Sequence, residues 1–114
     1  MRVLLVDDVR TQRFLLASLL SHFDCDVYTA EGGESALAIA AEAKPDAVVL
    51  DLSMPKMDGY ELAKRLRQQA GLTTTKLIAL SGLERDPEKL SEAGIDQFLR
   101  KPILLQDLQN ALGV

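Results

Sequence analysis

The residues best able to do chemistry are three aspartates, a serine and a lysine, each placed at the end of a short apolar run. Asp7 and Asp8 follow Val3-Leu4-Leu5-Val6, and Asp51 follows Ala47-Val48-Val49-Leu50. Ser81 follows Leu77-Ile78-Ala79-Leu80, and Lys101 comes just after Gln97-Phe98-Leu99. Strand ends are commonly exposed and polar, which accounts for any one of these residues but not for three carboxylates with one ammonium. Like charges held close destabilise a fold unless a cation offsets them. Convergent carboxylates make a hard, oxygen-rich site suited to a small divalent ion completed by waters, and Mg²⁺ is the natural occupant. A carboxylate beside such an ion stays ionised and nucleophilic, while the ion and Lys101 together could neutralise an incoming phosphoryl group. The chemistry indicated is phosphoryl transfer to an aspartate. Asp51 is the better nucleophile because it stands alone at the centre of the set. Asp7 and Asp8 are better placed as metal ligands, and Ser81 offers a hydroxyl to a phosphoryl oxygen.

These side chains converge only if their strands lie parallel and adjacent. The first, third and fourth apolar runs are continuous rather than alternating, as expected for parallel strands covered on both faces. Cys25-Asp26-Val27-Tyr28-Thr29 alternates and predicts an edge strand, and Gln97-Phe98-Leu99 predicts a short final one. Between the strands, Leu16, Leu19, Leu20 and Phe23 recur at one-face helical spacing, as do Ala36, Leu37 and Ala40. Leu62, Ala63, Leu66 and Ala70 mark a third helix, with Asp58 and Glu61 spaced as a capping box. A fourth opens at Asp86-Pro87 and closes at Gly94, and Leu105, Leu108 and Leu112 define the last. Strand and helix alternating five times predict a doubly wound α/β fold with right-handed crossovers. The common strand order, 2-1-3-4-5, sets the ends of strands one and three side by side at the switch point where ligands bind.

The chain has 114 residues, 47% of them hydrophobic and 26% charged, which fits one globular domain over residues 1–114 and excludes disorder or a fibrous repeat. A net charge of -4 with scattered Lys and Arg excludes the basic stripe that direct nucleic-acid binding requires. Cys25 is the single cysteine, so an internal disulfide or a Cys-based zinc site is excluded and a reducing cytoplasmic setting is expected. The apolar stretch after Met1 reaches acid at Asp7, so neither a signal peptide nor membrane insertion is expected. His22, between Leu20 and Phe23, is read as a surface residue at a helix end rather than a ligand.

Five separated motifs, in register with the five expected strands, carry a family resemblance. Val6-Asp7-Asp8, then Asp51-Leu52-Ser53-Met54-Pro55-Lys56-Met57-Asp58-Gly59, then Leu80-Ser81-Gly82, Ala93-Gly94 and Lys101-Pro102 closely resemble the receiver domains of response regulators, in order and over the whole chain. The resemblance implies that Asp51 takes a phosphoryl group from a phosphohistidine on a sensor histidine kinase or a histidine phosphotransfer protein. It implies that Asp8, Asp51 and the backbone carbonyl of Ser53 bind Mg²⁺, with Asp7 acting through a metal-bound water, and that Lys101 pairs with the phosphoryl oxygens. It also implies a cis peptide before Pro102. Signalling would shift two pre-existing states as Ser81 is drawn to the phosphoryl group and Phe98 turns inward. On sequence alone Phe98 reads equally as a core residue of the last strand. The face built from the fourth helix, fifth strand and fifth helix would then change for an output domain or protein, or for a dimer formed on phosphorylation.

Leu104 departs from the family pattern, since many members place a capping residue there. Leu83 and Ser53 stand where relatives tune hydrolysis, and they predict a slowly hydrolysed phospho form. An aspartyl phosphatase of the haloacid dehalogenase type would want a second Asp at position 53, where Ser53 stands. A flavodoxin-like cofactor binder would want Ser, Thr and Gly where Asp7 and Asp8 lie. The remaining alternative is an interaction module on the same fold that is no longer phosphorylated. No turnover enzyme is expected. The chain reads as either a stand-alone receiver or a piece of a hybrid kinase or larger regulator.

Overall fold

The computed structural model describes all residues from Met1 to Val114. Strands β1 (Arg2–Val6), β2 (Asp26–Ala30), β3 (Ala47–Asp51), β4 (Lys76–Ser81) and β5 (Gln97–Arg100) alternate with helices α1 (Arg10–Leu20), α2 (Gly33–Ala43), α3 (Gly59–Gln68), α4 (Pro87–Ala93) and α5 (Leu105–Leu112). All strand pairs are parallel and the sheet order is β2-β1-β3-β4-β5.

The pleat divides the apolar runs between two cores. Leu4, Val6, Val48, Leu50 and Leu77 point to one face, where Ala36 and Ala40 of α2 and Leu62, Ala63 and Leu66 of α3 cover them. Val3, Leu5, Val49, Ile78 and Leu80 point to the other, under Leu16 and Leu20 of α1 and Leu108 and Leu112 of α5. Runs buried on both faces cannot alternate, which is why these strands read as continuous apolar segments. β2 pairs on one side only, and its side chains are mostly half-buried or exposed.

Local signals stop and start the elements where their chemistry dictates. The Asp58 carboxylate accepts the Glu61 N–H at 2.9 Å and the Asp86 carboxylate accepts the Lys89 N–H at 3.2 Å, so α3 and α4 each gain a side-chain N-cap. Gly94 closes α4 at φ 74°, in the left-handed region that glycine enters without strain. Leu104, by contrast, precedes α5 with no side-chain cap. The Lys101–Pro102 peptide is cis.

Three sequence expectations shift. The edge strand begins at Asp26 rather than Cys25, because its register opens with Asp26 opposite Arg2 and Cys25 is held in the preceding turn by a bond to the Phe23 carbonyl. Ala70 is exposed and outside α3, since Gln69 leaves helical geometry at φ -76° and ψ 143°. Phe23 lies past the end of α1, yet still packs half-buried on the core between α1 and α5.

At the edge of the sheet remote from Asp51, Arg67 ties three segments together. Its guanidinium donates to the carbonyl of Gly94 at 2.8 Å, to the carboxylate of Asp96 at 2.7 Å and to the carbonyl of Thr75. The same Asp96 oxygen accepts the Leu77 N–H at 2.8 Å, so the end of α4 and the starts of β4 and β5 share one network.

Candidate functional site

Register alone brings the candidate residues together. Val6 pairs with Leu50, which sets Asp7 beside Asp51, and Asp51 itself pairs with Leu80, which sets Ser81 next to it. Ser81 pairs with Arg100, and the Lys101 N–H donates to the Ser81 carbonyl at 2.7 Å, completing the row.

The Lys101 ammonium lies 3.0 Å from Oδ2 of Asp51 and donates to it. The Asp51 side chain is 4% exposed and that of Lys101 28%, so the carboxylate is shielded from solvent while the ammonium keeps partial access to it. A charge-assisted contact there is screened far less than a surface ion pair. The other Asp51 oxygen, Oδ1, accepts the Ser53 N–H at 2.9 Å, which fixes the carboxylate plane and folds the following loop back over the strand end.

Asp7 is fully buried. Its Oδ1 accepts the Val9 N–H at 2.9 Å, whereas its Oδ2 is buried without any hydrogen-bond partner. Burial pushes the Asp7 carboxyl above its ordinary value; the Val9 N–H and Lys101 oppose that rise, and the charges of Asp51 and Asp8 add to it. Asp8 is exposed, and one carboxylate oxygen from each of Asp7, Asp8 and Asp51 lies within 4.8 Å of the others. An orphaned buried oxygen amid three converging carboxylates is the donor set that a hard divalent cation fits, and Lys101 offsets only part of the charge.

Ser81 is 2% exposed, and its Oγ accepts the Leu83 N–H at 3.0 Å. That leaves its O–H proton free to serve an acceptor at the site. Phe98 is half-buried on β5, three residues before Lys101, and packs on Leu52, Ala79 and Leu90. Met54 and Met57 fill the core beneath the loop after β3.

Two contributors were not legible as site residues in the sequence. Gly59 opens α3 so close to the strand end that a Cβ there would meet the Asp51 carbonyl oxygen at 2.6 Å and the Leu52 Cα at 2.7 Å. The motif that runs from Asp51 to Gly59 ends on this residue, but nothing in the motif's sequence showed the close backbone approach. Gln12 reaches Lys101 from α1, with Oε1 3.3 Å from the ammonium. Nothing in a helical Gln announces a partner so distant in the chain.

The chain resembles known proteins over its whole length. Residues 3–113 match the family model of the response regulator receiver domain. The chain is 33% identical over 114 residues to protein PilG of Pseudomonas aeruginosa, covering 98% of this chain and 84% of that protein. It is 36% identical over 115 residues to the sensor histidine kinase RcsC of Salmonella typhi, spanning all of this chain but 12% of that protein. The chemotaxis protein CheY4 of Vibrio cholerae superposes with a TM-score of 0.92 at 32% identity, covering 98% of this chain and 95% of that one. The receiver domain of the sensor histidine kinase PA1611 of Pseudomonas aeruginosa, with a magnesium ion coordinated in its active site cleft, superposes with a TM-score of 0.86 at 27% identity, covering 99% of this chain and 98% of that one.

Proposed function

This chain belongs to the response regulator receiver family, the signalling modules of two-component systems, and on that premise we propose that it is a phosphorelay switch whose acceptor is Asp51. The observation that carries the reading is the Asp51 carboxylate itself, buried at the switch point with Lys101 at 3.0 Å and two further carboxylates beside it. A structural aspartate does not need that company.

In this reading a phosphohistidine on a sensor kinase or histidine phosphotransfer protein presents its phosphorus to an Asp51 oxygen. The bond from phosphorus to imidazole nitrogen breaks as the bond to the Asp51 oxygen forms, and the bond's electron pair stays on the imidazole, which leaves neutral because its other ring nitrogen already carries a proton taken from solvent. Asp8, Asp51 and the Ser53 carbonyl would hold Mg²⁺, with Asp7 as supporting charge. Bound Mg²⁺ supplies positive charge to the phosphoryl oxygens. Lys101 supplies a second cation and exchanges its bond to Asp51 for one to a phosphoryl oxygen. The Ser53 N–H keeps the attacking carboxylate oriented, which limits the reorganisation that transfer requires.

Phosphorylation then biases an existing equilibrium rather than driving turnover, so the protein acts as a switch and not as an enzyme with a released product. Ser81 would leave the Leu83 N–H for the phosphoryl group, Phe98 would turn further inward, and the α4-β5-α5 face would change for an output domain, an output protein or a second receiver. No helix is long and apolar enough to cross a membrane. The reading places the domain in the cytoplasm, where ATP charges the donor histidine.

Incubation with Mg²⁺ and phosphoramidate, a small donor with the phosphorus-nitrogen bond of phosphohistidine, tests the proposal by intact mass. Gain of one phosphoryl group, absent in Asp51→Asn and in chelator, is the expected result. No gain in the wild type would leave a binding module that does not use this chemistry.

A further inference from the structure

Lys101 has a second partner that the transfer scheme does not use. Its ammonium donates to Oδ2 of Asp51 at 3.0 Å and to Oε1 of Gln12 at 3.3 Å. Only the oxygen end of the Gln12 amide can face an ammonium, because lysine has donors and no acceptor. Two of the three ammonium hydrogens are therefore engaged, one on the acceptor carboxylate and one on a neutral amide.

The two residues stand on different kinds of backbone. Lys101 begins an irregular stretch between β5 and α5, and its long stem carries much rotamer freedom. Gln12 sits in the first turn of α1, whose Leu16 and Leu20 are anchored in the core. That first turn is tied back to the acidic strand end, since the Arg13 guanidinium donates to the Asp7 carbonyl at 2.8 Å and the Arg13 N–H to the Val9 carbonyl at 2.9 Å. Gln12 is exposed, so it is the anchored helix turn, and not burial of the amide, that keeps the amide beside the cation.

We propose that Gln12 is a positioning residue for Lys101, holding its ammonium over Asp51 before transfer and keeping it there as it changes partners. The inference rests on the phosphoacceptor reading of the same site. Transfer turns the Asp51 carboxylate into an acyl phosphate and moves its negative charge onto the phosphoryl oxygens, so the Lys101 ammonium shifts its bond toward them. The bond to Gln12 can persist through that exchange, and the ammonium then swings about it instead of returning to solvent. A neutral amide suits the task. A carboxylate at position 12 would hold the cation more strongly but oppose an arriving phosphoryl anion, and an apolar side chain would leave the ammonium with one tether.

Gln12→Met, close in shape but without the amide oxygen, and Gln12→Glu, with an added charge, separate the effects. Two readouts apply: hydrogen exchange of the Lys101 ammonium by nitrogen-15 NMR in the unphosphorylated protein, and the rate of phosphorylation by phosphoramidate at saturating Mg²⁺. Loss of one long, exposed hydrogen bond, with the modest net worth such a bond has in water, predicts a rate about threefold to tenfold lower in Gln12→Met, with faster ammonium exchange. Gln12→Glu is expected to slow phosphorylation as well but to slow ammonium exchange, an opposite pair that a general loss of structure would not produce. An unchanged rate or unchanged exchange in Gln12→Met overturns the proposal. A wild type that takes no phosphoryl group at all instead overturns the reading beneath it, and the exchange measurement still decides whether Gln12 holds Lys101.

Discussion

Replacing Asp7 by Asn should stabilise the metal-free protein, although it removes a residue of the site. Oxygens of Asp7 and Asp51 lie within 4.8 Å of each other, and at that separation two like charges repel by roughly 3.5 kcal/mol for an effective dielectric of about 20. Asp7 is fully buried and its Oδ2 has no partner, so desolvation adds to the cost of its charge. Two terms oppose the gain. Lys101 attracts the Asp7 charge, and the Val9 N–H loses about 1 kcal/mol when its acceptor becomes a neutral amide. Asn keeps that acceptor oxygen, so the loop after β1 should not rearrange. The net expectation is a stabilisation of about 1–3 kcal/mol, or a rise in Tm of roughly 4–12 °C for a domain of this size. Calorimetry in chelator reads it directly. Adding Mg²⁺ should raise the wild-type Tm by mass action and narrow the gap between the two proteins, because the ion offsets the same repulsion. A variant Tm in chelator equal to or below that of the wild type would refute the reasoning, for it would mean that the acidic cluster carries no strain for a cation to relieve.

Other perturbations follow from the same geometry. Arg67→Met should cost about 2–4 kcal/mol in denaturant unfolding, since it strips charge-assisted bonds from Gly94, Thr75 and Asp96, and Arg67→Lys should not restore it because one ammonium cannot span all three. Gly59→Ala places a Cβ against backbone at Asp51 and Leu52, so it should lose about 1–3 kcal/mol and slow phosphorylation, whereas unchanged stability and rate would show that the strand end yields freely. Burial, with the charges of Asp86 and Asp58, pushes the Tyr60 phenol above its ordinary value of 10.0. Between that value and the raised one the native state binds more protons than the unfolded state, so stability should fall as pH rises through this window. Absorbance titration of a Tyr28→Phe protein, in which Tyr60 is the remaining tyrosine, should place ionisation above 10.0 and bring it down in Asp86→Asn.

Much of the fold was legible because burial on both faces leaves a plain mark on β1, β3 and β4, and because Asp58, Asp86 and Gly94 act through local chemistry that the sequence displays. The polar row at the strand ends was legible for the same reason, since parallel strands in the order 2-1-3-4-5 must bring Asp7, Asp51, Ser81 and Lys101 to one edge. Element ends were less so. Ala70 continued the apolar spacing of α3 but lies beyond it, where a change in the backbone at Gln69 outweighs periodicity. Contacts made by long side chains across the fold were not legible at all. Gln12 on Lys101 and Arg67 on Gly94 depend on distances between elements, and neither residue type carries a signal for its partner.

The central claim is that Asp51, among three neighbouring carboxylates, receives the phosphoryl group. Borohydride reduces an acyl phosphate to an alcohol, so trapping the protein after incubation with Mg²⁺ and phosphoramidate, then sequencing its peptides by mass spectrometry, locates the modified side chain. Conversion of aspartate to homoserine at position 51 alone, dependent on Mg²⁺, is the predicted result. Conversion at Asp7 or Asp8, or none under conditions where the folded protein binds Mg²⁺, would contradict it.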